Sequence, residues 1–559
     1  MRSAFLPVNT VAVLPVDDRP VNYDYPRYLG RAAALDVRLP PREWLGNPWR
    51  PSRHDDLVAW LRATAASAGA LVVSIDTLGY GGLIPSRQST EPAAAVLARL
   101  GVLRELKAAR PDLSILASSV ILRIHRSDSS EEEKPYWATC GRRMFRLSFL
   151  EHKAELGAAS TDETAERDRL RAEIPGTIYA DYRAGRARNH AINAAMLDWA
   201  ADGFFDFLIL PQDDTADYGW NIAEARRLDA AIRARGLTDR AITYPGADEI
   251  GCLLLARHVC RRAGFAPRVH ARYATAAGPT VITDYEDRPL HALLQAHLTP
   301  LGGQIVDAPA DANLDLWFNS PARRQGNSES QWLVRRGVEP VRASLPASGR
   351  PWLDEVVSGD GFRTTREEIA ARAPDLAPCT DALLAAVRSG STVAVADVAF
   401  VNAADSAFCE RLCPHREIAS LAAFGGWNTA GNTLGAVLAQ AVIRTIALRD
   451  GATRDQLAAQ LEFLFLRFVD DYLYQAGERI RCMVEDLPAL GLAPTMERLP
   501  DDRAPLVAAS VGVHLAEASA PLRDVFISSG LVRDVRITDV HLPWQRLFEV
   551  GFAVSVDLA

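Results

Sequence analysis

Cysteine is scarce in this 559-residue chain, and the few thiols present are scattered. The seven of them, Cys140, Cys252, Cys260, Cys379, Cys409, Cys413 and Cys482, are odd in number and follow no framework spacing. That excludes a small disulfide-stapled scaffold and suits reduced thiols in a cytosol. Cys409-x3-Cys413-x-His415 has the opening of a metal site but no second ligand pair nearby, so no structural zinc is expected there. Long hydrophobic runs are missing too: no apolar run reaches the roughly eighteen residues of a membrane span. The opening MRSAFLPVNTVAVLPVDD carries one Arg and then acids beside the would-be apolar region, so no signal peptide is expected. The chain is therefore read as cytoplasmic, with no membrane partner.

Positive charge is also in deficit. Lys and Arg number 62 against 70 Asp and Glu, a formal net charge of -8. This argues against nucleic acid as a partner and favours a neutral or cationic small molecule. The phosphate loops G-x-G-x-x-G and G-x-x-x-x-G-K-[ST] are absent, as are G-x-S-x-G and H-E-x-x-H. Dinucleotide, nucleotide and serine-hydrolase chemistry fall with them, and zinc hydrolysis has no support.

What remains is a chain able to bury large cores, with 48% hydrophobic residues and a length that predicts two or three domains. VAVLPV (11–16), ALVVSI (70–75), LSILASSVIL (113–122), FDFLILP (205–211) and RAITYP (240–245) have strand length. They alternate with helical segments such as AAAVLARLGVLRELKAAR, whose apolar residues share one face. The alternation restarts near residue 267 with VHARYAT, TVITDY, LHALLQAHL, GQIVDA, LDLWFNS and then TVAVADVAFV (392–401). Long helical patterns fill 418–485, and VRDVRITDVHLPW and RLFEVGFAVSVDLA alternate at period two near the end. The expected fold class is α/β, with mostly parallel sheets and flanking helices, barrel-like or Rossmann-like. The expected domains are an N-terminal α/β catalytic domain (1–266), a second α/β unit (267–417), a helical segment completing the site (418–500) and a small C-terminal antiparallel β element (501–559).

One stretch, FFDFLILPQDD (204–214), drives a buried strand outward and ends it on Gln212, Asp213 and Asp214. Other strands end the same way. The first runs into Asp17, Asp18, Arg19 and Asn22; the second into Asp76 and Tyr80, with Arg87 beyond; the third into Arg123 and His125. The fifth reaches Asp248 and Glu249, and the late strand Asn402 and Asp405. In parallel α/β architectures these carboxyl ends share one face, where side chains converge on a ligand. A lone Asp after a strand is usually a helix cap or turn residue, so the inference rests on the set. Paired carboxylates suit glycoside cleavage, one protonated to serve the leaving oxygen and one ionised. Asp213 and Asp214 are the expected pair, with Asp248 and Glu249 as the alternative. Asn189, Asn402, Asn428 and Asn432, with Trp220 and Trp427, suit hydroxyl recognition and stacking against a sugar. The Trp427–Thr433 stretch can equally cap the helix that follows. Glu462, Asp470, Asp471, Glu478 and Arg479 read as a solvated or salt-bridged helix face.

The blocks LPVDDRPVNYDYP, SIDTLGYGGLIPSR, RNHAINAAMLDWA, ILPQDDTADYGWN, YPGADEIG, YEDRPL, FVNAADS and GGWNTAGNTLG resemble the bacterial family catalogued as domain of unknown function 4127, from about residue 8 to about residue 500. The resemblance implies an association with sugar use, in amino-sugar or cell-wall glycan turnover, and brings no assigned catalytic residues. The expectation is thus a glycoside hydrolase acting from the end of a small glycan, an N-acetylhexosaminide among the candidates, with no cofactor. Two other classes compete: a hydrolase or lyase that uses the same acids to hold Mg or Mn, and a non-catalytic saccharide-binding protein. Homo-oligomerisation is left open.

Overall fold

In a computed structural model, which describes residues 9–559, the chain divides into two compact units. The first eight residues, which head the stretch read for a leader, lie outside the described residues. The first unit comprises the described residues through Pro26, Leu35–Leu254 and the short return Tyr285–Asp287. The second comprises Arg27–Ala34, Leu255–Asp284 and Arg288–Ala559.

The first unit is built on a six-stranded parallel sheet: β1 (Thr10–Leu14), β2 (Asp36–Arg38), β3 (Ala70–Ser74), β4 (Ser114–Ser118), β5 (Phe207–Gln212) and β6 (Ala241–Pro245). Its order is β2-β1-β3-β4-β5-β6, with β2 and β6 at the edges, so it is open and Rossmann-like rather than a barrel. Every residue of β3 and β5 is buried, as a strand covered by helices on both faces requires. Leu71, Val73, Ile115, Leu208 and Leu210 pack with helical Leu100, Leu103, Ile192 and Met196 into one core. The winding reverses between β1 and β3, and a sheet of this kind binds ligands beyond its carboxyl ends at such a reversal.

β4 is shorter than the apolar run LSILASSVIL suggests. After Ser118 the backbone still bonds to β5, from the Ser119 N–H to Ile209 and from the Ile121 N–H to Pro211, but at Val120 side chains take both backbone groups. Asn189 and Asn193 donate to the Val120 carbonyl, while the Val120 N–H donates to Asp76 Oδ2 at 2.9 Å.

The second unit repeats the plan. Its parallel sheet contains β7 (Arg268–Tyr273), β8 (Gln304–Ile305), β9 (Leu314–Asn319), β11 (Val393–Asp397) and β13 (Ala423–Gly425), in the order β13-β11-β9-β7-β8. Counted along the chain this is the same 2-1-3-4-5 winding as the first five strands of the other sheet. A short parallel pair, β10 (Gly326–Asn327) with β12 (Phe400–Val401), lies beside it. TVAVADVAFV is therefore two strands, broken where the Val398 N–H turns to the Asn319 carbonyl. TVITDY forms no strand. Its Tyr285 carbonyl instead accepts the N–H and hydroxyl of Thr215, which holds 285–287 in the first unit.

The helix Ala430–Asp450 is long and apolar enough to cross a membrane, yet 89% of its apolar window is buried, as in the core helix of a sheet protein. Helix Arg454–Arg467 continues into π-helical turns at Phe468–Glu478 and Cys482–Asp486. The β element expected over 501–559 is confined to the hairpin of β14 (Val532–His541) and β15 (Gly551–Leu558). Residues 504–528 are instead a helix, whose buried Val507, Val511, Leu515, Leu522 and Phe526 recur at helical spacing.

The loop after β3 makes a close backbone approach. A Cβ on Gly46 would stand 1.8 Å from the Gly81 carbonyl oxygen, whereas one on Gly101, within helix Ala93–Ala109, meets nothing within 4 Å. Gly46→Ala should therefore cost about 2 kcal/mol or more in denaturant unfolding, and Gly101→Ala should gain about 0.5–1 kcal/mol. Equal effects from both substitutions would contradict the tight loop.

Candidate active site

The carboxyl ends of the first sheet carry a set of buried acids, four of which, Asp17, Asp213, Asp214 and Asp248, are matched by arginine. After β1, Asp17 accepts from Arg19 Nη2 at 2.7 Å and from Asn22 Nδ2 at 2.9 Å. The same guanidinium reaches Asp248, beyond β6. After β5, Asp213 accepts from Arg87 Nη2 at 2.6 Å. Asp214 adopts a left-handed backbone (φ 48°), rare for a residue other than glycine, and its side chain turns to Arg123 at 3.4 Å. The two adjacent acids are thus split between two arginines. Arg87 and Arg123 are themselves tied together by Glu132, at 2.8 and 2.9 Å, and Arg123 also holds Glu133.

Burial decides the protonation of this set. It pushes Asp76, fully enclosed behind the loop after β3, up to about 7, and the charge of Asp213 adds to the rise against the Val120 N–H. Burial also raises Asp248 to about 7; Arg19 opposes this, while Asp17 and Asp213 reinforce it. Asp214 is raised by burial and by Asp213 against the pull of Arg123. Asp213 is therefore the charge that the other three feel. His125 moves the other way, to about 3, through burial and the neighbouring Arg123. It stands as a neutral imidazole beside the Ser127 hydroxyl, 3.1 Å from Nδ1.

Several expected ligand-binding residues turn out to build the walls. Asn189 secures the strand end of β4 through its bond to Val120. Trp220 does not present a stacking face: it packs in a cluster with Trp137 and Tyr182 and donates its indole N–H to Glu151 at 2.9 Å. Gln212 donates to Asp287 at 3.1 Å, Tyr80 is buried under Arg188, and Asp18 offers its carbonyl to Arg42. Glu249 is fully buried near Tyr244 and heads helix Ile250–Ala263, so the pair Asp248 and Glu249 is divided between the polar cluster and the interior. Glu132, Glu133 and Asp287 were missed. The first two sit in a run of three glutamates that reads as solvated, and Asp287 is far from the strands it joins in sequence. A separate cavity of about 520 Å³ borders the same loop, lined by Trp49, His54, Tyr80 and Arg99.

The second unit has its own charge cluster. Arg372 donates to Asp405 at 2.7 Å, to the Ser320 carbonyl at 3.0 Å and to Asn319, which in turn donates to Asp397. Burial and the charge of Asp405 raise Asp397 to about 7. Asp471, paired with Arg467 and the Gly426 N–H, rises to about 8 through burial. Of the two readings of the long helix face, solvated or salt-bridged, the second holds: Glu462, Asp470, Asp471 and Arg479 are buried, with ion pairs from Arg31 to Glu462, Arg467 to Asp471 and Arg479 to Glu329. Asn402 and Asn428 both adopt left-handed backbone, at φ 64° and 69°, and are joined by an N–H to carbonyl bond of 3.1 Å. Thr429 caps helix Ala430–Asp450 by accepting the Asn432 N–H, and Trp427 is buried against Phe548.

The family model described as Protein of unknown function (DUF4127) matches residues 11–553. No curated protein and no solved structure matches the chain.

Removing the Arg372 guanidinium strands a buried carboxylate. Arg372→Met should cost about 3–5 kcal/mol in urea unfolding. Adding Asp405→Asn should recover about 1–3 kcal/mol of that loss. Strict additivity of the two changes would show that the pair is not coupled.

Proposed function

We propose that this chain, which belongs to the DUF4127 family, is a glycoside hydrolase working by carboxylate acid and base catalysis, with Asp248 as the proton donor and Asp213 as its ionised partner. The observation that carries the reading is electrostatic. Burial raises the Asp248 carboxyl to about 7, with Asp17 and Asp213 adding to the rise against Arg19, and Arg87 holds Asp213 at 2.6 Å. Glycoside cleavage asks for that division of labour, one carboxyl poised to protonate the leaving oxygen and one carboxylate to stabilise positive charge or orient the nucleophile. β5 and β6 are hydrogen-bonded neighbours, so the two acids leave the sheet side by side.

Asp214 is the weaker partner, because its reversed backbone sends the side chain to Arg123. Asp76 is fully enclosed and supports the site from behind, its bond to Val120 shaping the end of β4. Neutral His125 can donate or accept a hydrogen bond from a sugar hydroxyl but carries no proton to give at neutral pH. The reading of these acids as ligands for Mg or Mn is disfavoured by the arginines, since fixed guanidinium charges on Asp17, Asp213, Asp214 and Asp248 would repel a divalent cation. A small neutral saccharide is the substrate class that suits so balanced a set of charges.

The test is a panel of nitrophenyl glycosides, including both anomers of the N-acetylhexosaminides, with and without chelator. Nitrophenol release should survive chelator. Asp248→Asn and Asp213→Asn should each lower kcat by about 10²–10⁴-fold, and Asp214→Asn by less. The pH profile follows from the sign of the shift. Asp248 must be protonated to act, and its rise from 3.8 to about 7 keeps the acid form present at neutral pH, so kcat/KM should fall as pH rises through about 7. A silent panel, or a fully active Asp248→Asn enzyme, would overturn the assignment.

A further inference from the structure

We infer that the second unit carries a binding site for a thiophilic divalent cation of the zinc class, formed by Cys482, Asp486 and His514 with Glu478 at its open side. Among the described residues these three offer a thiol, a carboxylate and an imidazole close enough to share one ion. Cys482 Sγ lies 2.9 Å from Asp486 Oδ2 and 3.6 Å from His514 Nδ1, and the latter two atoms are 3.7 Å apart. A point equidistant from three atoms with those separations lies about 2.0 Å from each, close to the 2.0–2.3 Å of zinc bonds to nitrogen, oxygen and sulfur. Glu478 Oε2, 3.6 Å from the same imidazole nitrogen, is placed to supply the fourth ligand.

The local fold explains the convergence. Glu478, Cys482 and Asp486 recur every four residues along the π-helical stretch, so they share one side of it, and π-helical turns recur at functional positions. His514 comes from helix Ala504–Ser528, which packs against that stretch; Ser510, one turn earlier, donates to Asp486 Oδ2 at 2.7 Å and fixes the carboxylate. An outer hydrogen bond of this sort orients ligands in metal sites. The thiol is fully buried, which denies it to a substrate, while the side chains of Asp486 and Glu478 are 20% and 17% exposed and give an ion a way in. One sulfur, one nitrogen and two oxygens suit zinc, or cobalt as its spectroscopic surrogate, and not magnesium or calcium, which take oxygen alone. On binding, the Cys482 thiol gives up its proton to solvent and forms the metal–sulfur bond, so uptake releases acid. The ion would tie the π-helical stretch to the C-terminal helix, independently of the acids of the first sheet.

The test is a titration of the full chain, first stripped with chelator, with Co²⁺. We expect one equivalent to bring up the visible bands of tetrahedral cobalt and a near-ultraviolet thiolate charge-transfer band, both bleached by Zn²⁺. Cys482→Ser should abolish the charge-transfer band, Asp486→Asn should weaken zinc binding on the order of a hundredfold, and Cys413→Ser should leave both bands intact. A wild-type chain that shows no thiolate band with one equivalent of cobalt overturns the proposal without recourse to any variant. So does a band that survives Cys482→Ser.

Discussion

The pairing of buried carboxylates with guanidinium groups is the constraint from which the polar architecture of both units follows. Taking an ionised carboxylate out of water costs several kcal/mol even after the protein relaxes, and the cost is tolerable only with a counter-ion and saturated hydrogen bonds. The chain meets this with arginine. Arg19, Arg87 and Arg123 serve the first sheet, and Arg372 and Arg467 serve the second. A planar guanidinium reaches two acceptors at once, as Arg87 does between Glu132 and Asp213, and so ties the loop beyond β4 to the loop beyond β5. Lysine, a point charge on a flexible stem, would not impose the same geometry.

The repeated winding gives that constraint its location. Both sheets run 2-1-3-4-5 along the chain, and in both the charged clusters stand beyond the carboxyl ends of the strands. The apolar strand supplies a rigid base, and the loop beyond it takes the polar load. In the second unit the result is a locked corner, because Asp397, Asp405, Asn319 and Arg372 are all nearly inaccessible. In the first, Asp213 and Asp248 keep some access to solvent, with side chains each 11% exposed. The same device is structural in one place and chemically available in the other, and accessibility separates the two.

Much of this was legible in the sequence, for identifiable reasons. Strands buried on both faces announce themselves as unbroken apolar runs, so β1, β3, β5, β6, β9 and β11 could be read directly, and the restart near residue 267 marked the second sheet. The polar strand ends were equally visible at Asp17, Asp76, Asp213 and Asp248. What failed did so where side chains overrode the pattern. LSILASSVIL pairs on one side only beyond Ser118, because Asn189, Asn193 and Asp76 take the Val120 backbone groups, and none of the three is near it in sequence. Trp220 carries no sign in sequence of whether its indole meets a sugar or Tyr182. The acids on the long helix read as a solvated or salt-bridged face, and sequence could not choose between the two because partners such as Arg31 for Glu462 lie hundreds of residues away. The Cys482 cluster was hidden likewise, since His514 belongs to a segment whose helical spacing was overlooked beside the strong β pattern that follows.

The choice of Asp213 and Asp248 over the adjacent pair Asp213 and Asp214 rests on the backbone. Consecutive side chains leaving a strand point to opposite sides, so two neighbouring acids share one small space only if the chain is bent to bring them together. Here the bend at Asp214 separates them, giving each its own arginine. Asp248 arrives from the next strand over and shares Arg19 with Asp17. Burial raises the Asp248 carboxyl most, Arg19 offsets that only in part, and the charges of Asp17 and Asp213 add to the rise. Burial beside other carboxylates is what holds a proton on Asp248, and a proton held on one acid next to the charge of another is the minimum that acid and base catalysis needs.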